Sequence, residues 1–152
     1  MATHWKGTAQ EKRALDAYIR LMRCVRALQG RLDRRLVALG LTETQFGVLE
    51  TLFHLGAMSQ SELAGRQFTS GANLTYVVDQ LEKKGWVRRE RSATDRRVVR
   101  VRLKPAGRVR VKQVLPGHVA AIVELFGALD AAEQVQLGAL CRTLGLSVRA
   151  SD

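Results

Sequence analysis

At 152 residues, 46% hydrophobic and 26% charged, the chain has the size and balance of one compact globular domain, which excludes a two-domain enzyme and a disordered or fibrous chain. No apolar run approaches the roughly 18 residues of a membrane span; the first residues lack the apolar stretch of a secretory signal; and Cys24 and Cys141 are too few and too far apart for a disulfide framework or a zinc ribbon, so a cytoplasmic chain with reduced thiols is expected. The net charge is +11, from 25 Lys and Arg against 14 Asp and Glu, and it points to a polyanionic partner wherever the excess is gathered in one place.

In chain order, the first predicted element is a long amphipathic helix from Ala14 to Leu39. Leu15, Tyr18, Ile19, Met22, Val25, Leu32, Leu36 and Leu39 recur on it at helical spacing, between arginines. It is longer than one small domain needs, and such a stripe is expected to pack on another subunit. Gly40 ends it, and Thr42 with Gln45 forms a capping-box pattern for a second helix, Glu43 to about Leu55, with Phe46, Val48, Leu49, Leu52 and Phe53 inward. A linker, Gly56-Ala57-Met58, leads to Ser59, which with Glu62 marks a brief third helix through about Arg66 with Leu63 and Ala64 inward. Gln67-Phe68-Thr69 is a turn. From Ser70 a fourth helix runs to Lys84, with Leu74, Val77, Val78 and Leu81 inward and Gly85 as its stop signal. The three short helices match a helix-turn-helix.

After Gly85 the period changes. Trp86 to Arg91 and Val98 to Leu103 are β-rich and partly alternating, and they flank a polar turn, Ser92 to Arg97. A hairpin directly after a recognition helix is a wing. The whole charge excess gathers here: residues 83–112 hold Lys83, Lys84, Arg88, Arg89, Arg91, Arg96, Arg97, Arg100, Arg102, Lys104, Arg108, Arg110 and Lys112 against Glu90 and Asp95, while the remaining residues are balanced. A solvated charged face is the bland alternative. A membrane surface would need an exposed amphipathic helix with large aromatics, which this segment lacks, so nucleic acid is favoured.

Pro105 suits the first turn of a fifth helix, which carries Val109, Val111, Val114, Leu115, Val119, Ile122, Val123 and Phe126, with Pro116-Gly117 expected to kink it. Asp130 with Glu133 caps a sixth helix with Val135, Leu137, Leu140 and Leu144 apolar. The expected fold is mainly α with a small β wing: a winged helix-turn-helix over residues 40–104, and a helical dimerisation bundle from residues 1–39 and 105–148, all in one continuous domain.

Five strings carry a resemblance. Leu39-Gly40-Leu41-Thr42 is followed by Gln45-Phe46, and Leu81-Glu82-Lys83-Lys84-Gly85-Trp86-Val87 leads out of the recognition helix. Asp95-Arg96-Arg97 matches a D-x-R wing motif, Leu103-Lys104-Pro105-Ala106-Gly107 departs slightly from L-T-x-x-G, and Leu129-Asp130-Ala131-Ala132-Glu133 opens the last helix. In this order and spacing, over roughly Ala14 to Leu146, they resemble the MarR family of bacterial transcription regulators. The resemblance implies a repressor that binds a pseudo-palindromic operator in double-stranded DNA as a homodimer, with no cofactor, metal or membrane partner.

In a helix-turn-helix the N-terminal residues of the second helix reach base edges in the major groove. Here those are Ser70, Gly71, Ala72, Asn73, Thr75 and Tyr76; Asn73 can pair bidentately with adenine, although Ser70 as a cap and Asn73 as a solvated residue is the plainer alternative. Ser59, Gln60 and Ser61 are candidate phosphate contacts at a helix start. The resemblance implies that Arg97 enters the minor groove, that Asp95 orients basic side chains at its base and that Arg96 meets a phosphate. It also implies a small effector, a phenol, an aromatic acid or a quinone, between the dimerisation helices and the winged-helix lobe, with Tyr18, Met22, His54 and His118 as candidate contacts. Cys24, beside Arg20 and Arg23, is read as a packed thiol. The alternatives are a redox-sensing regulator acting through Cys24 and a non-specific architectural DNA-binding protein. An enzyme is not expected: the sequence offers no paired carboxylates, metal-spaced His/Cys cluster, phosphate loop or Ser/His/Asp arrangement.

Overall fold

The computed structural model describes residues 4–67, 69–91 and 99–149. The chain divides into two compact units, Met1–His118 and Val119–Asp152.

Helix α1 (Ala9–Ala38) begins five residues before the sequence pattern places it. The reason is a capping box outside the apolar stripe: the Glu11 N–H donates to Thr8 Oγ1 at 3.2 Å and the Thr8 N–H donates to Glu11 Oε2 at 2.7 Å. Ala9 to Arg13 carry no periodic apolar signal, so hydrophobic spacing alone starts the helix late. α1 ends in a Schellman turn, in which Leu41 N–H donates to Leu36 C=O at 3.0 Å and Gly40 N–H to Val37 C=O at 2.9 Å. Gly40 sits at φ 72°, a left-handed conformation open to glycine at no steric cost.

Helix α2 (Glu43–Leu55) has the expected bounds and the expected Thr42–Gln45 box, and buries Phe46, Val48, Leu49 and Leu52. Met58, read as the end of a linker, instead forms with the capping residue Ser59 a short strand β1, too brief for any periodicity to mark it. Helix α3 (Gln60–Arg66) follows, capped by Ser59 and Glu62. Helix α4 (Gly71–Lys83) is capped by Ser70, whose Oγ accepts from the Asn73 N–H at 3.2 Å. A second Schellman turn closes it: Trp86 N–H donates to Leu81 C=O at 3.0 Å and Gly85 N–H to Glu82 C=O at 2.8 Å.

Strands β2 (Val87–Arg91) and β3 (Val99–Leu103) form the hairpin, and the sheet order is β1-β3-β2, antiparallel throughout. Met58 lies opposite Val101, and Val87 opposite Leu103. Helix α5 (Pro105–Phe126) starts at Pro105 and stays helical through Pro116, where a kink is expected. Of its apolar stripe only Val111 and Val114 join the core cluster, whereas Val109, Val119 and Val123 are exposed. Helix α6 (Ala131–Arg149) carries the predicted Asp130–Glu133 cap, with Glu133 N–H donating to Asp130 Oδ1 and Asp130 N–H to Glu133 Oε2, both at 2.9 Å.

The core of the first unit is assembled from every element of the winged helix: Leu36, Leu41, Phe46, Val48, Leu49, Leu52, Met58, Leu63, Leu74, Val77, Val78, Leu81, Val87, Val101, Val111 and Val114. On α1 only Leu36 is buried. Cys24, expected as a packed thiol, is exposed, as is Cys141. At about 100° per residue Cys24 lies some 200° round the helix from Met22, on the side shared with Arg20 and Arg31.

Candidate nucleic-acid interface

The wheel of α4 has three sectors. At about 100° per residue, Leu74, Val77, Val78 and Leu81 fall together and are buried. Thr75, Asp79 and Glu82 form the adjoining flank. Asn73, Tyr76 and Lys83 point the other way and are exposed, Tyr76 at 63%. Because the inner sector is packed against α2, α3 and the sheet, the outer sector is presented on a fixed surface. Asn73 Nδ2 donates to Thr69 Oγ1 at 2.6 Å, so its carbonyl end stays available to a partner. Thr75 Oγ1 donates to the Gly71 carbonyl at 3.0 Å and accepts from Gln60 Nε2 at 3.1 Å, so it is already committed within the protein. Gln60 is likewise committed at both ends, since its Oε1 accepts from Arg89 Nε at 2.7 Å. Ser61 is exposed at the start of α3.

Ser59 and Glu62 hold that start in place. Ser59 N–H donates to Glu62 Oε2 at 2.7 Å, Ser59 Oγ donates to the same oxygen at 2.8 Å, and Glu62 N–H donates back to Ser59 Oγ at 3.2 Å. The Ser59 backbone N–H, then its hydroxyl, with smaller help from Arg100 and Arg66, holds the Glu62 carboxyl below the usual carboxylate range. Ser59→Ala is expected to lower stability by about 1 kcal/mol in urea denaturation. A carboxyl whose folded pKa is depressed contributes stability at pH above its unfolded value and loses that contribution as pH falls through the folded value. Stability of the intact protein should therefore drop faster in acid than that of Glu62→Gln, and parallel acid profiles for the two would refute this.

On the hairpin, alternation puts Arg88, Glu90, Arg100 and Arg102 on one face and Val87, Arg89, Val101 and Leu103 on the other. Arg88 lies directly opposite Arg102, a like-charge pair that Glu90 offsets: Arg102 Nε donates to Glu90 Oε2 at 2.7 Å, and Arg88 pairs with the other Glu90 oxygen. The hydrogen bond from Arg102, reinforced by the charges of Arg102 and Arg88, keeps the Glu90 carboxyl below its ordinary range. The outer face, three arginines against Glu90, thus keeps an excess of two positive charges, and Arg100 on it is exposed. Asp95, Arg96 and Arg97, the expected wing-tip residues, lie outside the described residues.

Other cations of the basic stretch turn out to be structural. Lys84 Nζ donates to the Gly40 carbonyl at 2.9 Å, and an Arg110 guanidinium nitrogen donates to the Leu39 carbonyl, so both satisfy the C-terminal end of α1. Both also lie over the Trp86 ring, 4.8 and 5.7 Å from its centre. Sequence counting treats them as free charge. Gly107 has a similar hidden reason: a Cβ there would sit 2.2 Å from the Trp86 carbonyl oxygen, so only glycine lets α5 approach the root of the wing.

The candidate effector contacts are dispersed. Tyr18 lines an open depression with Trp5, Glu11, Ala14 and Leu15. Met22 lies one helical turn further along α1 and is half-buried. His54, at the end of α2, stands edge-on to Phe53 with ring centres 5.1 Å apart, and His118, on α5, packs on Phe46 at 4.8 Å. Hydrogen bonds and ring contacts among the described residues link neither histidine to Tyr18 or Met22. Among the described residues no single helix is long and apolar enough to cross a membrane, and no group of three or more His, Cys, Asp or Glu is placed to hold a metal ion.

A helix-turn-helix followed by a sheet whose last two strands form a basic hairpin defines a winged-helix protein. The family model of the MarR family matches residues 41–99, from the end of the first Schellman turn to the start of β3. YkoM of Bacillus subtilis, named as an uncharacterized HTH-type transcriptional regulator, is 30% identical over 135 residues, covering 89% of this chain and 88% of that protein. Among solved structures, Sco3205 of Streptomyces coelicolor, a MarR family transcriptional regulator in complex with DNA, superposes with a TM-score of 0.82 at 27% identity, over 93% of this chain and 90% of that one. BpsR of Bordetella bronchiseptica, whose structure concerns regulation of DNA binding by 6-hydroxynicotinic acid, gives 0.78 at 26% identity, over 85% and 98%. The chain belongs to the MarR family of helix-turn-helix transcription regulators.

Proposed function

We propose that this protein is a cytoplasmic repressor that binds a pseudo-palindromic operator as a homodimer, through residues 40–104, and dimerises through residues 1–39 and 105–148. The observation that carries the reading is that α4 exposes Asn73 and Tyr76 while the hairpin that follows it carries an arginine face: neutral hydrogen-bonding groups to read bases, and charge to hold phosphate. Ser70, Gly71, Ala72, Asn73 and Tyr76 contact the major groove; Ser59 and Ser61 approach phosphate; Arg96 and Arg97 reach the backbone and the minor groove, with Asp95 orienting them. Two α4 helices enter major grooves about one turn, on the order of 34 Å, apart.

Asn73→Ala and Tyr76→Ala should each cost about 1–3 kcal/mol on the operator and little on random DNA, narrowing the specificity ratio. Arg97→Ala should weaken binding to both and lower the salt slope by roughly one unit. Affinities for operator and random DNA at several salt concentrations decide this. Equal losses on both DNAs for the α4 variants would remove base reading from α4, leaving a non-specific architectural protein.

The effector is a small aromatic acid, phenol or quinone. The BpsR likeness supports the aromatic-acid class, and the effector must bind the DNA-free form better, by about 1–3 kcal/mol of coupling. A broad panel, with quinones tested with and without reductant, should contain a compound that raises the melting temperature and weakens operator binding. A panel that changes neither would end this part of the reading.

A further inference from the structure

Arg89 belongs by sequence to the basic stretch, yet alternation places it on the inner side of β2, with Val87, away from the arginine face. Its side chain, 24% exposed, is held by residues of two helices. Nη1 lies 2.5 Å from Glu82 Oε2 and 2.7 Å from Asp79 Oδ1, Nε donates to Gln60 Oε1 at 2.7 Å, and Nη2 donates to the Thr75 carbonyl at 3.3 Å. The Arg89 backbone N–H donates to the other Glu82 oxygen at 2.7 Å. Gln60 then passes the connection on through its bond to the Thr75 hydroxyl. Thr75, Asp79 and Glu82 stand at i, i+4 and i+7, the flank of α4 between its buried sector and the outward Tyr76 and Lys83. One guanidinium thus joins the root of the wing, the start of α3 and one side of α4.

We propose that Arg89 is a positioning residue that sets DNA specificity: it fixes the rotation of α4 about its own axis and does not neutralise a phosphate. This role rests on α4 being the base-reading helix. Two carboxylates already offset the Arg89 charge, so little of it is left to attract DNA. The planar fork of a guanidinium fixes direction as well as charge, which a lysine ammonium does not. With side-chain tips about 5–6 Å from the helix axis, a rotation of about 10° moves Asn73 by about 1 Å, enough to take a base-edge hydrogen bond out of range.

The test uses the full chain and measures operator and random-sequence affinity across a salt series, with melting temperature as a control on folding. Arg89→Gln and Arg89→Lys should both lower the operator-to-random ratio about tenfold and leave the salt slope unchanged. Glu82→Gln should narrow the ratio in the same way although it removes a negative charge. Four results would overturn the role: a slope reduced by about one unit with equal losses on both DNAs for Arg89→Gln, which marks a phosphate contact; a full ratio in Arg89→Lys; a lowered melting temperature with the ratio intact; or tighter binding of both DNAs by Glu82→Gln. Asn73→Ala in the same series reports on the base-reading assignment alone. An unchanged ratio there, beside a lowered one in Arg89→Lys, would move base reading to another part of the joined unit and leave the positioning role standing.

Discussion

Leu74→Ala is expected to lower the unfolding free energy by about 2–5 kcal/mol, a large fraction of the roughly 5–15 kcal/mol that holds a domain together. Leu74 is fully buried and sits on the inner sector of α4, one residue after Asn73, so the cavity opens beneath the helix that faces DNA. Urea denaturation at fixed protein concentration should show a lower midpoint with an unchanged slope. Operator affinity should fall with it, because the inner sector is what holds the outer one in place. Leu74→Met keeps the volume and should cost less than about 1.5 kcal/mol. A midpoint unmoved by Leu74→Ala would show that the site collapses at no cost, against the packing described.

The second large effect concerns α6. Leu137, Leu140, Leu144 and Val148 recur on one side of it, and Leu140, Leu144 and Val148 are 62%, 53% and 60% exposed in the single chain. An apolar stripe of that length left in water favours association. Replacing Leu140 and Leu144 together by Glu should give a monomer in sedimentation. It should also lower apparent operator affinity by about 10²–10⁴, the advantage lost when two linked half-site contacts become one. Binding to a single half-site should be unchanged, which separates lost pairing from lost folding. A variant that still sediments as a dimer would remove α6 from the interface.

The parts of this fold that local chemistry dictates are readable from the sequence. The Thr42–Gln45, Ser59–Glu62 and Asp130–Glu133 pairs, and glycines at 40 and 85, place helix ends to within a residue or two, because each encodes a specific set of backbone hydrogen bonds. Apolar spacing likewise names the inner residues of α2 and α4. Features that depend on distant partners are not readable. Strand β1 exists only because Val101 and Arg100 lie beside it, and Gly107 is explained only by the Trp86 carbonyl. Charge counting overstates the interface for the same reason, since Lys84 and Arg110 are spent on the Gly40 and Leu39 carbonyls just after α1, and Arg89 on Asp79 and Glu82. The acidic pair at 79 and 82, one turn apart just before a basic run, is the signal that could have shown Arg89 to be engaged. The outward Asn73 and Tyr76 follow from the wheel of α4, whereas Tyr18, Met22, His54 and His118 share no spacing that would gather them.

The sheet order has a further consequence. With β3 in the middle, β2 hydrogen-bonds along one side only, and such a strand offers its open edge to any second copy that approaches. Four of its five residues are charged, Arg88, Arg89, Glu90 and Arg91, and this makes edge-to-edge stacking unfavourable. The wing's arginines therefore act as gatekeepers for colloidal stability whenever DNA is absent. A variant with Thr or Val at positions 88, 91, 100 and 102 would gain β propensity and lose this repulsion, so it should form assemblies at concentrations where the natural chain stays dispersed. Selection on the wing then acts twice, once through the nucleic acid it meets and once through the copies of itself it must avoid.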